Sequence, residues 1–439
     1  MPPPDVPLAF LGCSGLGLIA TGAALMVLAA QSVAEPTADP VISVVHLGML
    51  AFLSTAVLGA LHQFAPVVSR RALRSVPVAR ASVVCFVVGA WGLAGSFALS
   101  DNRLLGAAGG VIAVAVVAIV WNLSGPLWAR HGGTPVTGLR WSMVGLVGVV
   151  AFGATYVADR GAHEAWFGLD PHLVLAHAHL GLLGFLGLAY VAVAEKLWPM
   201  FLLAHRPGPS PGRFAVRLVP AGLALLVAGL AAGVGPLATA GAVVVAAGLA
   251  AHLASFAGLV RHRRRPLELL HVFVITSAGA LVVAGGLGAA SAWAQVSSVT
   301  RAQLVGGEIA ALAGWVTLAL VGHAHKVVPF ITWGILRRQG VRTGPSGRPL
   351  VFSDLYNPRV ARVTYAAAVV GVGGAVAGLA GGVVALVLVG GAGLMATGAL
   401  ALVNLGLGPF LVRHRVRSNT LGQAVASGPA GPEARAVVR

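Results

Sequence analysis

Charge is scarce in this sequence. Of 439 residues, 12 are Asp or Glu and 29 are Lys or Arg, together 9%, where a soluble domain carries about 25%. That deficit excludes a water-soluble globular enzyme. Cysteine is scarcer still, at two residues. Cys13 and Cys85 both fall at helix ends expected to face a reducing cytosol, so no disulfide framework holds the chain. Only six methionines are present, which argues against a soft-sulfur route for Cu(I). No soluble stretch is long enough to host a nucleophilic triad. The many Gly-x-x-Gly runs lie inside apolar segments, where helix packing explains them better than a nucleotide fingerprint.

Apolar residues are abundant instead, at 57% with a mean hydropathy of +0.89, alongside 60 glycines. Stretches of roughly 20 apolar residues suffice to cross a hydrocarbon core of about 30 Å. Twelve recur, at about 8–31, 41–65, 77–99, 104–123, 139–158, 172–200, 215–233, 236–260, 267–293, 302–333, 362–380 and 383–411. The expected fold is all-α, a polytopic membrane protein. Residues 1–417 form a single transmembrane domain, and 418–439, rich in Gly, Ala, Pro and Ser, form a disordered cytoplasmic tail. The first segment lacks a basic start and a small-residue cleavage site, so it reads as a retained helix.

The net charge of +17 follows from the same topology. With both termini in the cytoplasm, every arginine except Arg103, Arg160 and Arg301 falls on the inner side, including the run Arg263–Arg265. The outer loops carry Glu35, Asp39, Asp101, Asp159, Glu164 and Asp170. This is the positive-inside pattern of a bacterial-type inner membrane protein. Contact with anionic lipid is its by-product, and nucleic-acid binding is not expected.

A repeat is hidden in the even-numbered helices. His46-Leu-Gly-Met-Leu-Ala-Phe52 precedes Pro66, and His179-Leu-Gly-Leu-Leu-Gly-Phe185 precedes Pro199, each histidine 20 residues before its proline. Gly314, Lys326 and Pro329 continue the pattern as matches to Gly184, Lys196 and Pro199. Twelve helices thus divide into three four-helix units, about 8–131, 138–262 and 267–417, with the marked helix second in each. Repeats of this kind are common in membrane transporters and do not name a function by themselves.

Because the marked helices run in the same direction, His46 and His179 are expected at one depth near the outer face. Two level imidazoles can meet across a flat ligand. His177 and His179 differ by about 200° around the helix, so they point to opposite sides and do not share one ion. An ionisable group in hydrocarbon is costly and marks a functional site by default; hence His46, His177 and His179 are the candidate cofactor ligands. Glu308 is the acid to watch, as a proton carrier or a partner to His177. His62, Glu195 and His325 sit four residues before the repeat prolines, as a second polar layer, a proton route or helix-end packing. His323, His252 and His271 read as structural, and His172 as an entrance residue. His131, His163, His205, His262 and His414 read as solvated.

These motifs resemble a known family. His177-Ala-His179, Gly184 and Lys196-Leu-Trp-Pro-Met-Phe201 look like the His-x-His helix of subunit I of heme-copper oxidases and nitric oxide reductases. His46-Leu-Gly through Pro66 resembles that family's second helix. The resemblance implies twelve helices in a pseudo-threefold array with hemes toward the outer face. It implies His46 and His179 as axial ligands of a low-spin heme b, and His177 as ligand to a second heme or metal. The family's His-x-His lies on its tenth helix, whereas here it lies on the sixth. The chain has no His-His pair and no His-x-x-x-Tyr arrangement, so the family's copper ligands lack counterparts and oxygen-reducing catalysis is not expected.

The expected function is therefore a heme b-binding membrane protein that passes electrons or handles a small ligand such as nitric oxide or oxygen. Its expected partners are the lipid bilayer and a cytochrome or respiratory-complex subunit. The alternatives are a copper-handling protein or transporter using His177, His179 and Glu308, and a heme-free partner of a respiratory complex.

Overall fold

The structure, a computed structural model, describes residues 3–128, 133–162, 171–204, 210–344 and 347–426, with backbone alone for 161, 162, 171 and 407–426. It is 87% helical with no strands among the described residues. Twelve helices are long and apolar enough to span a membrane. The first unit holds α1 (Asp5–Val27), α2 (Asp39–Ser69), α3 (Val76–Leu99) and α4 (Asn102–Leu127). The second holds α5 (Gly133–Arg160), α6 (His172–Leu202), α7 (Gly212–Ala231) and α8 (Gly235–Arg261). The third holds α9 (Leu269–Trp293), α10 (Ser298–Arg338), α11 (Pro358–Gly381) and α12 (Val384–Gly406). An all-α polytopic membrane protein is what this architecture is.

Local chemistry sets the helix limits. Ser75 caps α3 by accepting from the Val78 amide, with Pro77 in the first turn. The Asp101 carboxylate caps α4 by accepting from the Arg103 and Leu104 amides, at 2.8 and 3.0 Å, and Ser297 and Asn357 cap α10 and α11. Such caps satisfy backbone donors that have no helical partner. Left-handed residues Arg70, Ser100 and Leu203 close α2, α3 and α6. The repeat prolines Pro66, Pro199 and Pro329 lie inside their helices without ending them, as neighbouring helices in a membrane allow. The helix of α12 continues along the chain as Val384–Ala426, into the segment assigned to the tail at 418; residues 427–439 lie outside the described part.

The marked helices form the centre. In their most apolar stretches 72% of α2, 61% of α6 and 56% of α10 is buried, against 22–39% for the other nine spans. The first helix of each unit packs on the second by equivalent contacts. Ser142 of α5 donates to the Phe185 carbonyl of α6, and Ser277 of α9 donates to the Trp315 carbonyl of α10, both at 2.9 Å. Phe185 and Trp315 hold the same place in the repeat. Gly17 sits on the backbone of Ala51 and Gly145 on that of Gly184, so closely that any side chain would strike a carbonyl. Small residues at helix crossings permit this approach in lipid, where burial of apolar area gives no drive. Short connections make successive spans alternate in direction. The arginine-rich connections after α2, α8 and α10 therefore gather on one face, and those after α1, α3, α7, α9 and α11 on the other.

Candidate functional site

The histidine motifs carry a backbone signature of their own. Directly after His46 the chain forms eight residues of π-helix, Leu47–Ser54. Directly after His179 it forms another eight, Leu180–Gly187, at the same positions of the repeat. The third marked helix has no histidine at the matching place and runs as one uninterrupted α-helix, Ser298–Arg338. A π segment is a costly departure that recurs at functional sites. It widens the turn and re-phases the side chains on either side of it. Thr55 marks the widened register by donating to the Leu50 carbonyl, five residues back, at 2.7 Å.

Side-chain anchoring is matched as well. His46 Nδ1 lies 2.9 Å from the Ile42 carbonyl, and His179 Nδ1 lies 2.8 Å from that of Leu175. A carbonyl only accepts, so Nδ1 carries the proton in both and Nε2 keeps its lone pair. This is the arrangement by which a second-shell oxygen fixes the tautomer of a metal-binding imidazole. His177 is held differently. It hydrogen-bonds the Val149 carbonyl of α5, its ring meets Tyr156 edge-on at 6.1 Å, and its Nδ1 is buried without a partner.

Among the expected ligands the structure brings His46 and His177 into electrostatic range of each other. It supplies no comparable interaction between His46 and His179. His46 stacks on Phe97 at 4.9 Å, Arg160 lies over the same ring, 5.4 Å from its centroid, and Arg160 pairs with Asp39 at 2.6 Å. Two of the three arginines on this sparsely basic face, Arg103 and Arg160, thus line one open cavity of about 840 Å³ that begins at Leu99, two residues from Phe97.

The other expected polar residues divide by surroundings. Glu308 packs into a notch over Gly288 of α9, on the α9 side of its helix. No contact with His177 accompanies it. Glu195 accepts from Ser210 at 2.7 Å and Ser255 at 2.9 Å and sits against Gly212, the first residue of α7. A carboxylate there complements the positive end of a helix. His62 and His325 also donate Nδ1–H to the carbonyl four residues back and stack on Phe10 and Phe273 of their unit's first helix. The Nε2 atom of each is buried and unpartnered. His172 is exposed at the start of α6. His131, His163 and His205 lie outside the described residues, as does the side chain of His414.

No motif in the sequence points to a cluster that forms around Tyr190. His252, His323, Trp198 and Trp315 all bring their rings within 6.0 Å of it, from α6 itself, α8 and α10. His271 joins through the electrostatic reach of His323, and its Nδ1 accepts from the Glu268 amide at 2.9 Å. On the arginine-rich face Lys326 pairs with Glu268. Tyr356, in the loop before α11, meets His325 edge-on; burial, and then the Glu268 charge, push its hydroxyl pKa up.

Among the described residues no three His, Cys, Asp or Glu side chains gather closely enough to hold a bare metal ion. A porphyrin iron needs only one or two imidazoles from the protein, and the Nε2 lone pairs of His46 and His179 fit that requirement. Comparison with protein-family models finds no match, and none of the curated proteins compared is similar in sequence.

Proposed function

We propose that this chain is a heme b-binding integral membrane protein that transfers electrons or handles a small diatomic ligand. The observation that carries this reading is the matched pair of histidines. His46 and His179 stand at equivalent repeat positions, each with Nδ1 tied to a carbonyl and each heading an eight-residue π segment. These two anchored neutral imidazoles would hold a heme iron, and an iron held by two imidazoles favours electron transfer over oxygen binding. When bound, the heme would supply the one-electron chemistry.

The chain's own residues do the rest. The Ile42 and Leu175 carbonyls orient the rings and raise their basicity. Phe97 and Leu47–Ser54 exclude water on the His46 side, and Arg160, paired with Asp39, places a cation on the same aromatic wall. His177, with Nδ1 unpartnered, is the residue for a second heme or a ligand beside the first. The segregated arginines support an orientation with both ends cytoplasmic in a bacterial-type plasma membrane, and a respiratory cytochrome is the partner this reading assigns. The copper-handling alternative draws no support from the donor set, because a bare ion needs three or four ligands together. Pyridine hemochrome and metal analysis on protein purified from heme-sufficient cells test the proposal. About one heme b per chain, or two if His177 serves a second, is expected; stoichiometric copper or zinc without heme overturns it.

A further inference from the structure

On the flank of the molecule, α4 and α5 touch near both ends, where Asn102 donates to the Arg160 carbonyl and Arg140 donates to the Leu127 carbonyl. Gly109 lies against Val157 in the half nearer the sparsely basic face. Between these contacts the two helices leave a groove of about 350 Å³. Its walls are Val116, Val117, Val120 and Trp121 of α4 with Val147 and Val150 of α5, and none of its lining residues carries a charge. Val117, Val147 and Trp121 are well exposed, so the groove opens sideways into the hydrocarbon.

The mouth has a different chemistry. Trp121 lies six residues from the end of α4, about 9 Å in rise, the depth where indoles mark a membrane interface. Trp128 and Trp141 are exposed beside it. Arg74, from the connection after α2, holds its guanidinium 5.7 Å from the Trp121 ring centroid. Its Nε donates to Ser124 at 2.7 Å, and no other side-chain hydrogen bond of Arg74 occurs among the described residues. A planar guanidinium is matched to a phosphate. An apolar slot at hydrocarbon depth ending in Trp and Arg describes one amphiphile: an apolar chain with an anionic phosphate head.

We propose that this groove is a binding site for one anionic phospholipid, its acyl chain between α4 and α5 and its phosphate on Arg74. The lipid fills the wedge between the first and second four-helix units. A quinone finds no hydrogen-bonding side chain in the groove walls beyond the Trp121 indole N–H, and a zwitterionic head cancels the charge that Arg74 recognises.

The test is lipid analysis by mass spectrometry on full-length protein purified in mild detergent, counting each phospholipid class per chain. Wild type should retain about one anionic phospholipid. Val147→Phe, which fills the slot from an exposed position, should release it. Arg74→Gln should lower the anionic-to-zwitterionic ratio about fivefold. Val243→Phe, at a lipid-exposed site on α8, should change nothing. Retention in Val147→Phe, phospholipids in bulk-membrane proportion, or an isoprenoid quinone in the groove would each overturn the proposal. If Val147→Phe does not fold, the Arg74→Gln ratio decides alone.

Discussion

A buried imidazole has two nitrogens to account for, and this chain answers the same way repeatedly. His46, His62, His179, His323 and His325 all give one proton to the carbonyl four residues back. Phenylalanine rings stack on His46, His62 and His325 alike; the difference is the π segment that follows His46 and His179 alone. Other polar side chains here act structurally, and their loss should read as stability alone. Ser142→Ala removes one interhelical bond to Phe185 and should cost about 0.6 kcal/mol, seen as a small drop in thermal midpoint in detergent. Glu195→Ala strips the acceptor from Ser210 and Ser255. It should cost about 1–3 kcal/mol while leaving any heme spectrum in place; a lost spectrum with unchanged stability would contradict the capping role.

At the scale of the helix, the π segments decide where the histidines point. An eight-residue π stretch accommodates one more residue than an α-helix crossing the same depth. Deleting Met49 should let 47–54 relax to α-helix, keep Pro66 in place and turn His46 by about 100°. The expected outcome is folded protein with no His46-dependent spectrum; a spectrum that survives the deletion would remove the π segment from the account. Gly145→Ala would drive a methyl into the Gly184 carbonyl. It should destabilise by roughly 1–3 kcal/mol, visible in the same melting assay. The motif His-Leu-Gly-x-Leu-x-Phe announced a repeat, but nothing in its residue types distinguishes a π turn from an α turn. That distinction comes from tertiary crossings such as Gly17 on Ala51, which a one-dimensional pattern does not carry.

At the scale of the whole molecule the architecture was legible because few rules decide it. Twelve apolar runs, prolines in register and segregated arginines specify twelve spans in three units, and the central burial of α2, α6 and α10 follows from which helices hold the motif. The site was less legible. His177 bonds to α5 and His179 to its own helix, the electrostatic neighbour of His46 is His177, and the Tyr190 cluster draws on α6, α8 and α10 with no shared motif. Orientation in the membrane is open to a direct check. With native cysteines removed, a single cysteine at Arg342 should react with an impermeant maleimide only after the cells are opened. One at Asp101 should react in intact cells. The reverse labelling would invert the assigned faces.

The central claim is that His46 and His179 together hold a heme. Absorption and low-temperature EPR spectra of the purified protein and of its His46→Ala, His177→Ala and His179→Ala variants test it most directly. Wild type should show a Soret band and a six-coordinate low-spin signal. His46→Ala and His179→Ala should each abolish that signal, and His177→Ala should leave it. Absence of a Soret band in heme-sufficient wild type would contradict the account, and so would a low-spin signal that depends on His177 but not on His179.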